Sequence, residues 1–162
     1  MKLFKGAPGR LEKISEKNSN IFIDYAHTPD ALRMALSAIR MHMGGRLICV
    51  FGCGGDRDQG KRPMMGAAVA SESDMAIVTA DNPRTEKVDF INEQIVEGFG
   101  NWDAYRLIPD RGAAVLEALN SASPDDVVLI AGKGHENTQE INGHKNVFDD
   151  RVFVKNLLGL TD

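Results

Sequence analysis

The sequence predicts a doubly wound α/β domain, a mostly parallel sheet with helices on both faces. Apolar runs alternate with helix-like stretches almost to the end of the chain. The runs are continuous rather than alternating, as Leu47-Ile48-Cys49-Val50-Phe51 and Val127-Val128-Leu129-Ile130-Ala131 show, and such strands are buried on both faces. Polar, glycine-rich segments follow the strands, which is where ligands bind in open α/β sheets. With right-handed crossovers, this pattern gives a Rossmann-like architecture.

Taken in order, Ile21-Phe22-Ile23 reads as a short strand. Pro29 to about Met43 is a helix with Leu32, Leu36 and Ile39 on one face. Thr28-Pro29 starts it and Gly44-Gly45 stops it. Leu47 to Phe51 is a buried strand that runs into the loop Gly52-Cys53-Gly54-Gly55-Asp56-Arg57. Pro63 to Ser71 is helical, and Met75 to Thr79 is a strand ending in Asp81-Asn82-Pro83-Arg84. A helix over Val88 to Phe99, a strand over Tyr105 to Ile108 and a helix over Arg111 to Leu119 follow. The strand Val127 to Ala131 leads into Gly132-Lys133-Gly134-His135-Glu136, and a last helix covers about Asp149 to Leu158. Residues 1–20, rich in Lys and Glu with little periodicity, read as a linker with one early strand. Residues 21–162 read as the domain.

Composition narrows the function. With 162 residues, 43% apolar and 26% charged, the chain is a globular domain large enough for its own core. A formal net charge of -4 counts against a general nucleic-acid binder. No apolar run reaches the roughly 18 residues of a membrane span, and Met1 to Gly6 lacks a signal-peptide core. The expectation is a cytoplasmic protein without nucleic-acid or membrane partners. Cys49 sits in an apolar run and Cys53 in a glycine turn; neither has zinc-site spacing.

Each polar loop has a plain and a functional reading. Gly55 to Arg62 matches a phosphate loop until its last position, where Arg62 replaces the Ser or Thr that would hold Mg²⁺. Gly52-x-Gly54-x-x-Arg57 lacks the third glycine of a dinucleotide fingerprint. The loop serves better as a rigid holder for Arg57, whose guanidinium can fork onto a carboxylate; the alternative is a solvated turn with Arg57 paired to Asp56 or Asp58. Asp81 to Arg84 is either a plain strand-to-helix turn or a site in which Asn82 donates and accepts while Arg84 binds a carboxylate. In Gly132 to Glu136, Glu136 either receives an ammonium group or caps a helix start. Asp24 suits a ribose. His27 reads either as structural or as a contact to a phosphate or a partner domain.

Together, Asp24-Tyr25-Ala26-His27-Thr28-Pro29-Asp30, Val50 to Asp58, Asp81-Asn82-Pro83-Arg84 and Ala131 to Glu136 resemble, in order and spacing, the motifs of the Mur ligases. The resemblance covers nearly the whole chain and favours the branch that adds meso-diaminopimelate. It implies a cytoplasmic ATP-dependent ligase of peptidoglycan biosynthesis, acting on UDP-MurNAc-L-Ala-D-Glu through an acyl phosphate. Such ligases have three domains; the UDP-sugar domain and the central domain that binds most of the ATP and Mg²⁺ have no counterpart here. The resemblance thus makes this chain the C-terminal lid, starting near Gly9-Arg10, monomeric and inactive in isolation. It assigns Arg57, Asp81, Asn82, Pro83, Arg84, Gly132 and Glu136 to meso-diaminopimelate. Arg84 and Arg57 would face carboxylates and Glu136 the distal ammonium. Arg10, Asp24 and His27 would reach ATP. No catalytic or metal-binding residue is assigned. The rival readings are a folylpolyglutamate synthase-like domain, against which the Asp81-to-Arg84 motif argues, and a free-standing amino-acid-binding domain.

Overall fold

The computed structural model describes residues 9–14 and 20–160. The continuous apolar runs form the middle of a six-stranded sheet: β1 (Glu12–Lys13), β2 (Asn20–Asp24), β3 (Leu47–Phe51), β4 (Met75–Val78), β5 (Tyr105–Leu107) and β6 (Val127–Ala131), in the order β1-β2-β6-β3-β4-β5. All neighbours are parallel except β1, which runs antiparallel along the edge of β2. Of the segment read as a linker, residues 1–8 and 15–19 lie outside the described residues.

Strand alternation divides the core into two layers. Leu47, Cys49, Phe51, Val127, Leu129 and Ala131 pack against α1 (Pro29–His42), α2 (Lys61–Glu72) and α3 (Val88–Glu97). Ile48, Val50, Val128 and Ile130 face α4 (Arg111–Ser121) and α5 (Asp150–Leu157). The topology explains the division. Connections from β2 to β3, β3 to β4 and β4 to β5 all step the same way across the sheet, and only β5 to β6 returns. With a fixed crossover hand, the returning helix lies on the opposite face.

Local signals set the helix ends. The Thr28 hydroxyl accepts from the Ala31 amide at 3.2 Å, and Pro29 occupies the first turn of α1. Pro63 lies inside α2, which starts at Lys61 rather than at the proline; a first-turn proline removes an amide that has no helical partner anyway. The segment after β6 does not open a helix at His135-Glu136, one of its two readings, but continues into an antiparallel hairpin, β7 (Thr138–Ile141) and β8 (His144–Val147). Asn142 and Gly143 turn the hairpin with positive φ at both positions, 50° and 77°.

Candidate functional site

Because β2, β3, β4 and β6 are parallel, their carboxyl ends share one edge, and the four polar loops meet there. They enclose a cavity of about 410 Å³ lined by Arg57, Asp81, Asn82, Arg84, Gly132 and Glu136, with Tyr25, His27, Cys53, Asp58 and Lys61 among the remaining walls. Six of the seven residues expected at an amino-acid site therefore line one cavity. Pro83, the seventh, lies buried behind the wall. A Cβ on Gly55 would stand 1.8 Å from the Pro83 carbonyl oxygen, so only glycine lets the two loops approach this closely.

The loop after β4 is fixed from several directions. The Gly55 amide donates to the Asn82 carbonyl at 2.8 Å. Gln139 Nε2 donates to the Asp81 carbonyl at 2.9 Å, and the Glu140 amide to Asn82 Oδ1 at 2.9 Å. Arg84 bridges the hairpin backbone: its amide donates to the Glu140 carbonyl at 3.0 Å, and its carbonyl accepts from the Asn142 amide at 2.7 Å. These bonds hold Arg84 in the left-handed region at φ 54°, which costs a non-glycine residue about 1 kcal/mol. Its side chain donates to the Gly55 carbonyl at 2.9 Å and lies 3.5 Å from Glu140.

Asp81 and Gly132 are anchored from below. Arg111, on α4, is fully buried and pairs with Asp150 of α5 through two bonds, 2.8 and 2.7 Å. It also donates to the carbonyls of Ala80 and Ala131, at 3.0 and 3.2 Å. Those residues immediately precede Asp81 and Gly132, so one guanidinium ties together the ends of β4 and β6. Among the described residues, Asp81 Oδ1 is buried without a hydrogen-bond donor, with the Lys133 ammonium 3.9 Å away. Burial raises the Asp81 pKa above the carboxylate norm; Arg111 and Lys133 oppose the rise, while Glu136 and Asp150 add to it. A cationic ligand group would satisfy that oxygen.

The glycine loop is built differently. Three of its amides are already committed: Gly55 to Asn82, Asp56 to Glu86 Oε2 at 2.7 Å, and Gly60 to Asp58 Oδ1 at 2.9 Å. A loop that cradles phosphate needs those amides free. Arg62, at the position that departs from the phosphate-loop pattern, is buried instead. It binds Glu86 at 2.5 Å, Gln94 at 2.6 Å and the Gly54 carbonyl at 3.0 Å. The Arg62 hydrogen bonds are the main cause holding the Glu86 carboxyl below its usual range. Arg57 is exposed and donates to the carbonyl of Asp56 at 3.0 Å, so the ion pair with Asp56 or Asp58 is replaced by a backbone bond. Burial pushes the Cys53 thiol up to about 12, which keeps it protonated at neutral pH.

Arg10, Asp24 and His27 border a neighbouring groove of about 500 Å³, with Leu11, Tyr25, Ala31 and Met34. The Asp24 carboxylate accepts from the Leu11 amide at 2.8 Å and the Ala26 amide at 2.7 Å. It therefore also clips the segment before β1 onto the domain. Carboxylate oxygens can accept further bonds, so this use leaves Asp24 open to a ligand hydroxyl. The His27 ring stacks edge-on to Tyr25, centroids 4.5 Å apart. Among the described residues, no group of three His, Cys, Asp or Glu side chains is placed to hold a metal ion.

Comparison with known proteins places this architecture in a family. The UDP-N-acetylmuramoyl-L-alanyl-D-glutamate--2,6-diaminopimelate ligase of Lawsonia intracellularis is 48% identical over 96% of this chain and 33% of its own length. A solved structure of a UDP-N-acetylmuramoyl-L-alanyl-D-glutamate--2,6-diaminopimelate ligase superposes with a TM-score of 0.89 at 43% identity, over 96% of this chain and 32% of that one. The Mycobacterium tuberculosis folylpolyglutamate synthase complexed with ADP is more distant, with a TM-score of 0.61 at 25% identity over 78% of this chain and 30% of that one. The chain thus spans about a third of the length of the curated relatives it matches. Residues 9–134 match the family described as Mur ligase, glutamate ligase domain, and the chain belongs to that family.

Proposed function

We propose that the cavity at the carboxyl edge of the sheet binds meso-diaminopimelate and that the chain serves as the amino-acid-holding lid of an ATP-dependent peptidoglycan ligase. The observation that carries this reading is the meeting of opposite charges in one cavity: Arg84 and Arg57 line it together with Glu136 and the buried Asp81, whose Oδ1 accepts no hydrogen bond among the described residues. Diaminopimelate carries a carboxylate and an amine at each end, so such a site holds one end and leaves the other amine to react. In this scheme Arg84 forks onto the distal carboxylate, Asp81 and Glu136 take the distal ammonium, and Asn82 bridges the two. The acceptor is the glutamate carboxylate of UDP-MurNAc-L-Ala-D-Glu, which ATP with Mg²⁺ activates as an acyl phosphate. The residues of this chain orient the attacking amine and, on closure, exclude water that would hydrolyse the acyl phosphate.

In this reading residues 21–162 are the domain, and the segment before them supplies its edge strand β1. ATP fits the glycine loop poorly, since the amides of Gly55, Asp56 and Gly60 are committed and Arg62 stands where a phosphate loop has Ser or Thr. The groove beside Arg10, Asp24 and His27 suits a contribution made jointly with another domain, because its polar groups lie at an open edge. Phosphate release by this chain alone is therefore expected to be nil, and the full protein is expected to work as a cytoplasmic monomer.

The test is an NMR titration of the labelled chain with meso-diaminopimelate, L-lysine and L-glutamate. The proposal expects shifts at Asn82, Arg84 and Gly132, with meso-diaminopimelate binding more tightly than lysine. A site that answered to glutamate but not to diaminopimelate would favour a folylpolyglutamate synthase-like role.

A further inference from the structure

Lys133 follows β6 directly, between two glycines, and its side chain is fully buried. A buried ammonium is costly unless oxygens surround it. Here four do, from three separate segments. Nζ lies 2.5 Å from the Thr138 carbonyl at the start of β7, 3.3 Å from Asn82 Oδ1 and 3.5 Å from Glu136 Oε2. Asp81 Oδ1 is 3.9 Å away. An ammonium has donors only, so its contact with Asn82 requires the amide oxygen on that side. The Glu140 amide, at 2.9 Å, demands the same orientation, and Asn82 Nδ2 then reaches Glu136 Oε2 at 3.3 Å.

Two of the four partners are carboxylates that line the cavity. Asp81 is faced by Arg111 from α4, Asp150 from α5, Lys133 and Glu136 from the turn after β6, and Cys53 from the glycine loop. Arg111 acts more strongly on Asp81 but spends its hydrogen bonds on Asp150 and two backbone carbonyls, whereas Lys133 lies 3.9 Å from Asp81 and 3.5 Å from Glu136, within contact of both carboxylates. Two carboxylates sharing a pocket without a cation tend to keep one proton between them. A protonated member no longer attracts an ammonium ligand.

We propose that Lys133 is the positioning residue of this pocket: it fixes Asn82 and Glu136 in register and keeps Asp81 and Glu136 ionised together, ready for a ligand ammonium. The role rests on the amino-acid-pocket reading above. It adds a residue whose work is done before the ligand arrives.

The experiment is a carbon-detected NMR titration of the Asp81 and Glu136 carboxyl groups in the wild-type chain and in Lys133→Met, which keeps the length and removes the charge. The expected result is an upward move of the carboxylate titration by about one pH unit or more, with the backbone spectrum otherwise preserved. Affinity for meso-diaminopimelate at neutral pH should fall by about tenfold or more, since the ratio of protonated to ionised carboxyl changes about tenfold for each pH unit the titration moves. It should recover in part at a higher pH, where the carboxylates ionise again. A purely structural lysine would not produce that recovery. Unmoved carboxyl titrations in Lys133→Met would overturn the proposal whether or not a ligand binds. If the titrations move but the wild type does not bind meso-diaminopimelate, the amino-acid reading fails and the control of charge by Lys133 stands. Should Lys133→Met not fold, the nitrogen resonance of the wild-type Lys133 amine decides: a charged amine at neutral pH supports the proposal, and a neutral one overturns it.

Discussion

The two walls of the cavity are built on opposite plans. The wall formed by Asp81 to Arg84 and Gly132 to Glu136 is rooted in the core. Arg111 ties its strand ends together from beneath, Lys133 crosses between its loops, and the β7–β8 hairpin pins Arg84 by backbone bonds. The glycine-loop wall is tied at its base by Arg62 and Glu86 and, through Gly55 and Asp56, to Asn82 and Thr85; beyond these it ends in the exposed residues Arg57 to Gly60. Arg84 and Arg57, equivalent as ligand cations on paper, therefore differ in kind. In the proposed complex, Arg84 would lose little conformational freedom on binding, while Arg57 would have to be ordered. The fixed wall is suited to select the ligand and the open wall to adjust around it.

The largest way to break this contrast is to cut the root of the fixed wall. Arg111→Met leaves Asp150 buried and unpaired and releases the carbonyls of Ala80 and Ala131. The expected loss of stability is about 3–5 kcal/mol, read as a lower urea midpoint. A loss no greater than that of a surface substitution would show that β4 and β6 hold their ends without the guanidinium.

Next comes the preset cation itself. Arg84→Ala should lower affinity for meso-diaminopimelate by about 2–5 kcal/mol, because a desolvated carboxylate loses its fork. Lysine, which lacks the second carboxylate, should be affected much less. Titration of both amino acids into wild type and variant separates the cases. An equal loss for both would move Arg84 to the shared end of the ligand and undo its role in selection. Arg84→Lys should restore only part of the affinity, since an ammonium cannot fork.

The difference between the walls also marks what is legible in the sequence. Strands β3 and β6 are readable to the residue because apolar runs of five need no partner to be recognised. The four site loops are readable because they follow strands, and parallel strands deliver them to one edge. The roots of the fixed wall are not. Arg62, Arg111 and Lys133 are charged residues hydrogen-bonded to partners up to 51 positions away, as Lys133 is to Asn82. Nothing local distinguishes them from solvated surface residues. The hairpin escapes sequence reading because Thr138 to Val147 is polar and lacks apolar alternation, and its stability comes from backbone pairing with the site. Asn142-Gly143 is the available signal, being a preferred hairpin-turn pair. A ligand ammonium beside Glu136 is an expectation the sequence raises; an ammonium from the chain itself, Lys133 at 3.5 Å, is not.

A smaller effect follows from the buried carboxylate of the fixed wall. Burial raises the Asp81 pKa in the folded chain, so the native state holds that proton more tightly than the unfolded chain, whose Asp titrates near about 4. Ionising Asp81 thus costs native stability, progressively as pH rises above about 4 through the raised folded value, and the cost then stays constant. Asp81→Asn should unfold at higher urea than wild type at neutral pH, with no advantage below about pH 4. The lowered groups Glu86, Asp74 and Asp126 act in the opposite sense in both proteins. Their contribution is present above about pH 4 and is lost as pH falls through their depressed values. A gain for Asp81→Asn that persisted into acid would mean that it comes from packing rather than from charge.

The smallest expected effect sharpens the contrast most directly. Arg57 is exposed, and among the described residues its side chain bonds to the carbonyl of the residue before it. Arg57→Ala should therefore change stability by no more than about 0.5 kcal/mol, as surface substitutions do. Its effect should lie in binding and in ionic strength. Salt screens an exposed cation far more than a half-buried one, so the contribution of Arg57 to affinity should fade as salt is raised while that of Arg84 persists. Titrating meso-diaminopimelate into wild type, Arg57→Ala and Arg84→Ala at low and high salt gives both slopes. If Arg57→Ala lost affinity as salt-independently as Arg84→Ala, the bound state would have to bury Arg57 as deeply as Arg84. The glycine loop would then close to make a second fixed wall, and the division between selecting and adjusting walls would hold only for the free chain.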